Sequence, residues 1–228
     1  MLRAIYLSPL GYIISAAMQA VATFKQPFMV YGYYCRGDRK FRKNTRVSSS
    51  ASITSAEKFH IGDHAWIGHY VVIDASGGVR IGEGVQISFH SSIVTHGSHV
   101  SIRLLGNNYI RIPAKQRPGM VLESVSIGDY SYLGTGATIL PGVQIGRGCV
   151  IAAGAVVREN VPDFGVAAGV PARIVGDTRD QDAAFVNDIS VAGTYFDKER
   201  WTVVCAYAAQ SKTAENAASD STSNVEPA

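Results

Sequence analysis

In two runs between Ile61 and Val157 an aliphatic residue returns at every sixth position, a period that few folds satisfy. The first run is Ile61, Ile67 and Ile73, then, after a two-residue slip, Ile81, Ile87 and Ile93. The second run, Ile127, Leu133, Ile139, Ile145, Ile151 and Val157, has no slip. Neither a helical period of about 3.6 nor a two-residue alternation explains it. A parallel β-helix does, because three short strands close a triangular coil and successive coils stack at about 4.8 Å. The aliphatic residue of each hexad then points inward. Small residues commonly follow it, as in Ile61-Gly62, Ile81-Gly82, Leu133-Gly134 and Ile145-Gly146. They suit corners, where the backbone takes left-handed angles or approaches a neighbour closely. Stacked coils satisfy one another and leave the two end coils to be capped, here by the N-terminal segment and the region after Pro171.

The expected organisation is one all-β domain with extensions, which a chain of 228 residues that is 46% apolar can support. Residues 1–46 form an apolar helix and a basic segment, 47–176 the coil, 177–205 a cap, and 206–228 a polar tail expected to be disordered. Residues 97–126 break the period and carry Arg103, Asn107, Asn108, Tyr109, Arg111, Lys115 and Arg117. So long an excursion inside a compact repeat points to function. Cys35, Cys149 and Cys205 lie far apart with no zinc-finger spacing, which fits reduced thiols in a cytoplasmic protein. A net charge of +3 without an aromatic-plus-basic motif argues against nucleic acid. The uncharged stretch Ala4 to Phe24 has no small-residue cleavage site for a signal peptide and is followed by Arg36, Arg39, Lys40, Arg42, Lys43 and Arg46. That combination allows peripheral contact with an anionic membrane face or, at just enough length, a membrane span, as alternatives to a helix packed on the protein itself.

All six histidines fall between residues 60 and 99. Histidine is the side chain best suited to take and return a proton near neutral pH, so the cluster supplies candidate general bases. The segment Ile93-Val94-Thr95-His96-Gly97-Ser98-His99 stands where the regular coil gives way, so a side chain there can face a cleft. His60, His64, His69 and His90 lie within or beside regular coils. No Gly-x-Ser-x-Gly elbow is present, which argues against a serine acyl-enzyme.

Ile61-Gly62-Asp63-His64-Ala65-Trp66, Ile127-Gly128-Asp129-Tyr130-Ser131-Tyr132 and the closing Gly169-Val170-Pro171-Ala172-Arg173-Ile174-Val175 resemble the hexapeptide-repeat sugar O-acetyltransferases, which include maltose and galactoside acetyltransferases and enzymes of polysaccharide biosynthesis. The resemblance covers roughly residues 47 to 176 and implies left-handed coils, a homotrimer and acetyl-coenzyme A as donor, with no metal required. It implies a catalytic histidine where the excursion begins; His99, after Gly97-Ser98, is the better match, and His96 stands beside it as the alternative. Asp74 and His69 lie near the positions that hold the acceptor sugar, and Arg103 belongs to the excursion that frames it. Thr135, Ala153, Arg158 and Arg173 fall at positions that meet the pantetheine arm and phosphates. Glu159 departs from the pattern, where relatives often carry lysine. A glycan hydroxyl is the expected acceptor, ahead of an amino-sugar nitrogen, at the inner face of the cytoplasmic membrane. Two other classes compete: a metal enzyme like the γ-class carbonic anhydrases, suggested by His64 and His69, and a non-catalytic scaffold.

Overall fold

The computed structural model describes residues 8–196 together with 201, 202, 204–206 and 209. The polar tail expected over 206–228 therefore lies outside the described residues apart from positions 206 and 209, as do residues 4–7 of the apolar stretch. Helix α1 (Pro9–Phe24) opens the described chain; the Ser8 side chain accepts from the Gly11 amide, and Pro9 occupies the first turn, where its missing N–H costs nothing. Its 16 residues extend about 24 Å. No helix among the described residues is long and apolar enough to cross a membrane. A hairpin follows, β1 (Met29–Cys35) antiparallel to β2 (Lys40–Ser48), so the basic cluster occupies a turn and a strand.

The end of β2 becomes the first rung of the coil, with Val47 paired in parallel to Ile67. From there the chain visits three parallel faces in rotation. On the first face Val47, Ile67, Ile87, Leu133, Ile151 and Ala167 stand in register. Ile53, Ile73, Ile93, Ile139 and Val157 line the second. The third carries Ile61, Ile81, Ile127 and Ile145, with Val161 bridged to the last of them. All but Ile53 are buried, so the six-residue period is the inward-facing stack that the sequence predicts.

The two-residue slip and the long excursion both occur at the corner between the second and third faces. The slip is absorbed in Ala75–Gly78, where Gly78 takes a φ of +99°. One coil later the chain leaves after Thr95, pairs His96–Gly97 antiparallel with Val121–Leu122, and builds helix α2 (His99–Leu105) between them. The Glu123 amide donates to the Thr95 carbonyl at 3.0 Å, and the Val125 amide to Gly78 at 3.1 Å. The base of the excursion is thus closed by backbone bonds, and Ile127 stacks on Ile81 as though nothing had intervened.

Glycines beside the inward aliphatic residues answer to close approach, and the left-handed angles fall two positions later, at His64, Tyr70 and Tyr130 for example. A Cβ on Gly134 would lie 2.5 Å from the Ala153 amide nitrogen of the next coil. At the far end Gly165–Gly169 pairs antiparallel with Ala172–Asp177, the Thr178 hydroxyl donates to the Gly148 carbonyl at 2.8 Å, and Phe196 stacks on Tyr130. These contacts cap the last coil.

Gly134 distinguishes spacing from backbone conformation. Where φ is ordinary and space is open, Gly→Ala stabilises by about 0.4–1 kcal/mol. Gly134→Ala is instead expected to destabilise by about 1–3 kcal/mol, read from denaturant unfolding, because the methyl meets backbone that cannot yield.

Candidate active site

The corner where the coil is interrupted gathers a carboxylate and an imidazole. Asp74 ends the strand Val72–Asp74 on the second face, and His96 begins the excursion one coil later. His96 Nδ1 lies 2.6 Å from Asp74 Oδ2. An ionised carboxylate can only accept, so Nδ1 carries a proton, and in the neutral imidazole it is Nε2, on the far side from Asp74, that keeps the lone pair. The imidazole is 45% exposed and the carboxylate 16%, so the ring faces solvent while the carboxylate that orients it is enclosed.

Asp74 is held by more than His96. The Ser76 amide donates to Oδ1 at 3.1 Å, the Ser76 hydroxyl to Oδ2 at 3.0 Å, and the Thr95 hydroxyl and amide to Oδ2 at 3.1 and 3.2 Å. Thr54 adds a bond to Oδ1 at 3.2 Å. Burial pushes the carboxyl pKa up, but the donors from His96, Ser76 and Thr95 outweigh it and hold the group well below the usual carboxylate range. Thr95 is fully buried and also receives the Gly77 amide at 2.8 Å, which ties the slip to the start of the excursion. The two residues of the slip therefore build the turn that donates to Asp74.

The other sequence-predicted residues distribute over all three corners. His99 opens α2, exposed, with its ring over Gly97; among the described residues its side chain has no hydrogen bond or ion pair. The geometry thus gives the orienting carboxylate to His96, the second candidate from sequence, and none to His99, the first. Arg103 lies exposed in the last turn of α2. His69 belongs to the corner between the first and second faces, where its Nδ1 is 2.6 Å from Ser48 Oγ and its ring stacks on Phe89; no contact joins it to Asp74. Thr135 and Ala153 share that corner, exposed, with Thr135 Oγ1 2.9 Å from Ser88 Oγ. Arg158 and Arg173 sit on the Asp74 side of the coil, nearer its C-terminal end. Glu159 reaches both, Arg158 at 3.3 Å and Arg173 at 3.4 Å, beside a cleft of about 290 Å³ lined by Val157, Asn160, Ala172 and Ile174. His64 lies on a third corner, 3.3 Å from Asn44, so His64 and His69 do not converge on one point.

Sequence reasoning did not find Thr95 and Ser76. The signal was present: Ile73 and Ile93 stack, so residues just after each of them share one corner.

Residues 124–159 match the family model described as bacterial transferase hexapeptide, six repeats. A Saccharomyces cerevisiae protein carrying the name acetyltransferase is 35% identical over 130 residues, 56% of this chain and 60% of that protein. The galactoside O-acetyltransferase of Escherichia coli is 29% identical over 132 residues, 54% of this chain and 65% of the enzyme. The chain therefore spans less than two thirds of either relative. A maltose O-acetyltransferase structure from Clostridium difficile aligns with 57% of this chain and 64% of its own at 26% identity, with a TM-score of 0.46. With its period, its three stacked faces and the matched repeats over residues 124–159, the chain is similar to the hexapeptide-repeat transferases.

Proposed function

We propose that the protein transfers an acetyl group from acetyl-coenzyme A directly to a hydroxyl of a sugar or polysaccharide precursor, as a homotrimer of left-handed coils. The observation that carries this reading is the Asp74–His96 pair, an oriented base at the one corner where the coil opens. His96 Nε2 takes the proton of the acceptor hydroxyl as its oxygen attacks the thioester carbonyl. The tetrahedral intermediate collapses, the carbon–sulfur bond breaks, and the same proton passes from His96 to the departing thiolate. Asp74 stays ionised throughout and stabilises the transient imidazolium. No acyl-enzyme and no metal are needed.

The division of the other candidates supports a cleft between copies. Thr135 and Ala153 lie on a different corner from His96, Arg158 and Arg173, so a donor reaching all of them bridges adjoining protomers. Arginine pairs well with phosphate oxygens, and the shared Glu159 is the carboxylate that such phosphates displace. The excursion with Arg103 borders His96 and frames the acceptor.

A lipid-linked acceptor at the cytoplasmic membrane face is supported by the exposed apolar side chains Leu10, Tyr12, Ile13 and Met18 of α1 and Phe28, Tyr31 and Phe41 around the hairpin. Cations of the same hairpin suit anionic headgroups.

Three outcomes are expected. His96→Ala lowers kcat by about 10²–10⁴-fold in a free coenzyme A release assay with glycan acceptors, while His99→Ala keeps most of the activity; the reverse order would move the base to His99, and no acceptor-dependent release by the wild type would sink the reading. Because the folded pKa of Asp74 is depressed, its stabilisation is complete above the unfolded value of about 3.9 and is lost as pH falls through the folded value. The stability gap between wild type and Asp74→Asn is therefore constant at neutral pH and closes below about pH 4. Finally, the full chain sediments with vesicles rich in anionic lipid and is released by salt; equal recovery from neutral vesicles, or none from either, contradicts the membrane assignment.

A further inference from the structure

A second cluster of reactive side chains lies away from Asp74 and His96, where the hairpin meets the first complete coil. Cys35 ends β1, Asp38 lies in the hairpin turn, and His60 is in the strand Phe59–Ile61 of the third face. The Cys35 sulfur, an Asp38 carboxylate oxygen and a His60 ring nitrogen all fall within 4.8 Å of one another. Cys35 is fully buried; Asp38 and His60 are half-buried.

We infer that these three side chains bind one thiophilic divalent cation, zinc by preference, which pins the hairpin to the coil. Thiolate, imidazole and carboxylate are the donor types zinc takes, at about 2.3 Å to sulfur and 2.0–2.2 Å to nitrogen or oxygen. A tetrahedron of that size separates its ligand atoms by about 3.3–3.8 Å, so closing the site needs shifts of about an ångström or less. The turn is already pressed onto the histidine: a Cβ on Gly37 would stand 2.4 Å from the Phe59 carbonyl oxygen and 2.9 Å from the His60 ring.

An outer shell is in place as well. Arg42 donates to Asp38 Oδ2 and, at 2.7 Å, to the Ile61 carbonyl, while the Lys40 amide donates to Oδ1 at 3.1 Å. These bonds fix the carboxylate's direction and leave it lone pairs, the role that hydrogen-bonded carboxylates play around metal ligands. Three protein donors leave a fourth position for water, facing a cleft of about 580 Å³ that Arg80, Glu83 and Asp129 also line. Glu83 and Asp129 offset the positive charge of Arg42 and Arg80 there. In the metal-free chain the Cys35 thiol donates to the Phe59 carbonyl at 3.3 Å. On binding, the thiol proton leaves to solvent and a metal–sulfur bond takes its place. A buried cysteine acting as a small apolar residue accounts for Cys35 alone. It does not account for a carboxylate and an imidazole meeting at its sulfur.

The test uses the full chain, stripped with chelator and titrated separately with Zn²⁺ and Co²⁺. One zinc per chain is expected after dialysis, with a thermal midpoint that rises with free zinc. The cobalt form should show a thiolate-to-metal absorption band that Cys35→Ser abolishes and Cys205→Ser leaves intact. His60→Gln is expected to weaken zinc at least about tenfold and Arg42→Gln by about 10–100-fold. Should Cys35→Ser fail to fold, His60→Gln, compared with wild type at equal metal-free thermal midpoint, carries the comparison. A wild-type cobalt titration without the thiolate band overturns the inference, as does zinc retained equally by Cys35→Ser and His60→Gln. Acetyl transfer is read separately, since neither Asp74 nor His96 takes part.

Discussion

The structure depends on register between stacked rungs. Each inward side chain on a face sits over the equivalent one of the coil before it, and parallel backbone bonds hold the spacing near 4.8 Å. That stacking imposes a rule: the cross-section of the coil must stay constant, because a rung with an extra inward residue would lose both its packing and its ladder. Additional chain can leave only at a corner. The slip at Ala75–Gly78 and the excursion after Thr95 both obey this, and both use the same corner. Rungs on either side remain paired, Ile81 with Ile127 and Ile93 with Ile139.

The chemistry is a by-product of that rule. Within the regular coil, polar groups at corners are answered by the coils above and below, as Ser131 and Ser91 show by donating to carbonyls of Gly146 and Gly134. Where extra residues leave, donors and acceptors are freed from the ladder and can be turned to another purpose. Ser76 and Thr95 turn theirs on Asp74, which keeps a half-buried carboxylate ionised and lets it orient an imidazole. The cost of enclosing that charge is met by hydrogen bonds from six groups on four residues of three neighbouring coils, so the pair is held in place before any substrate arrives.

Most of the architecture could be read from the sequence because the period reports a single repeated environment. The inward residues from Ile61 to Val157 all occupy it. The site was less legible for a specific reason: it is made where the period fails, and counting stops being a guide there. His96 and His99 are three residues apart, and it is the contact of His96 with Asp74 that shows which of them is drawn back to the coil. The same limit hid the convergence of Cys35, Asp38 and His60, since a hairpin outside the repeat supplies two of the three groups. Small residues after the aliphatic positions were expected at corners for either of two reasons, and the stacked backbone selects close approach, with left-handed angles displaced to His64, Tyr70 and Tyr130.

The antiparallel bridge at the foot of the excursion joins two properties that might otherwise vary separately. Its first residue is His96 itself, paired with Leu122, while the loop it fastens carries α2 and the turns that the proposed function places against the acceptor. Insertions or exchanges farther out can be absorbed without disturbing the rungs, because the loop's ends are already fastened. Any change that twists the bridge, however, tilts the imidazole. On the proposed reading, diversification toward new acceptors is thereby channelled into the loop's distal portion, and its stem is left as a shared hinge between recognition and reactivity.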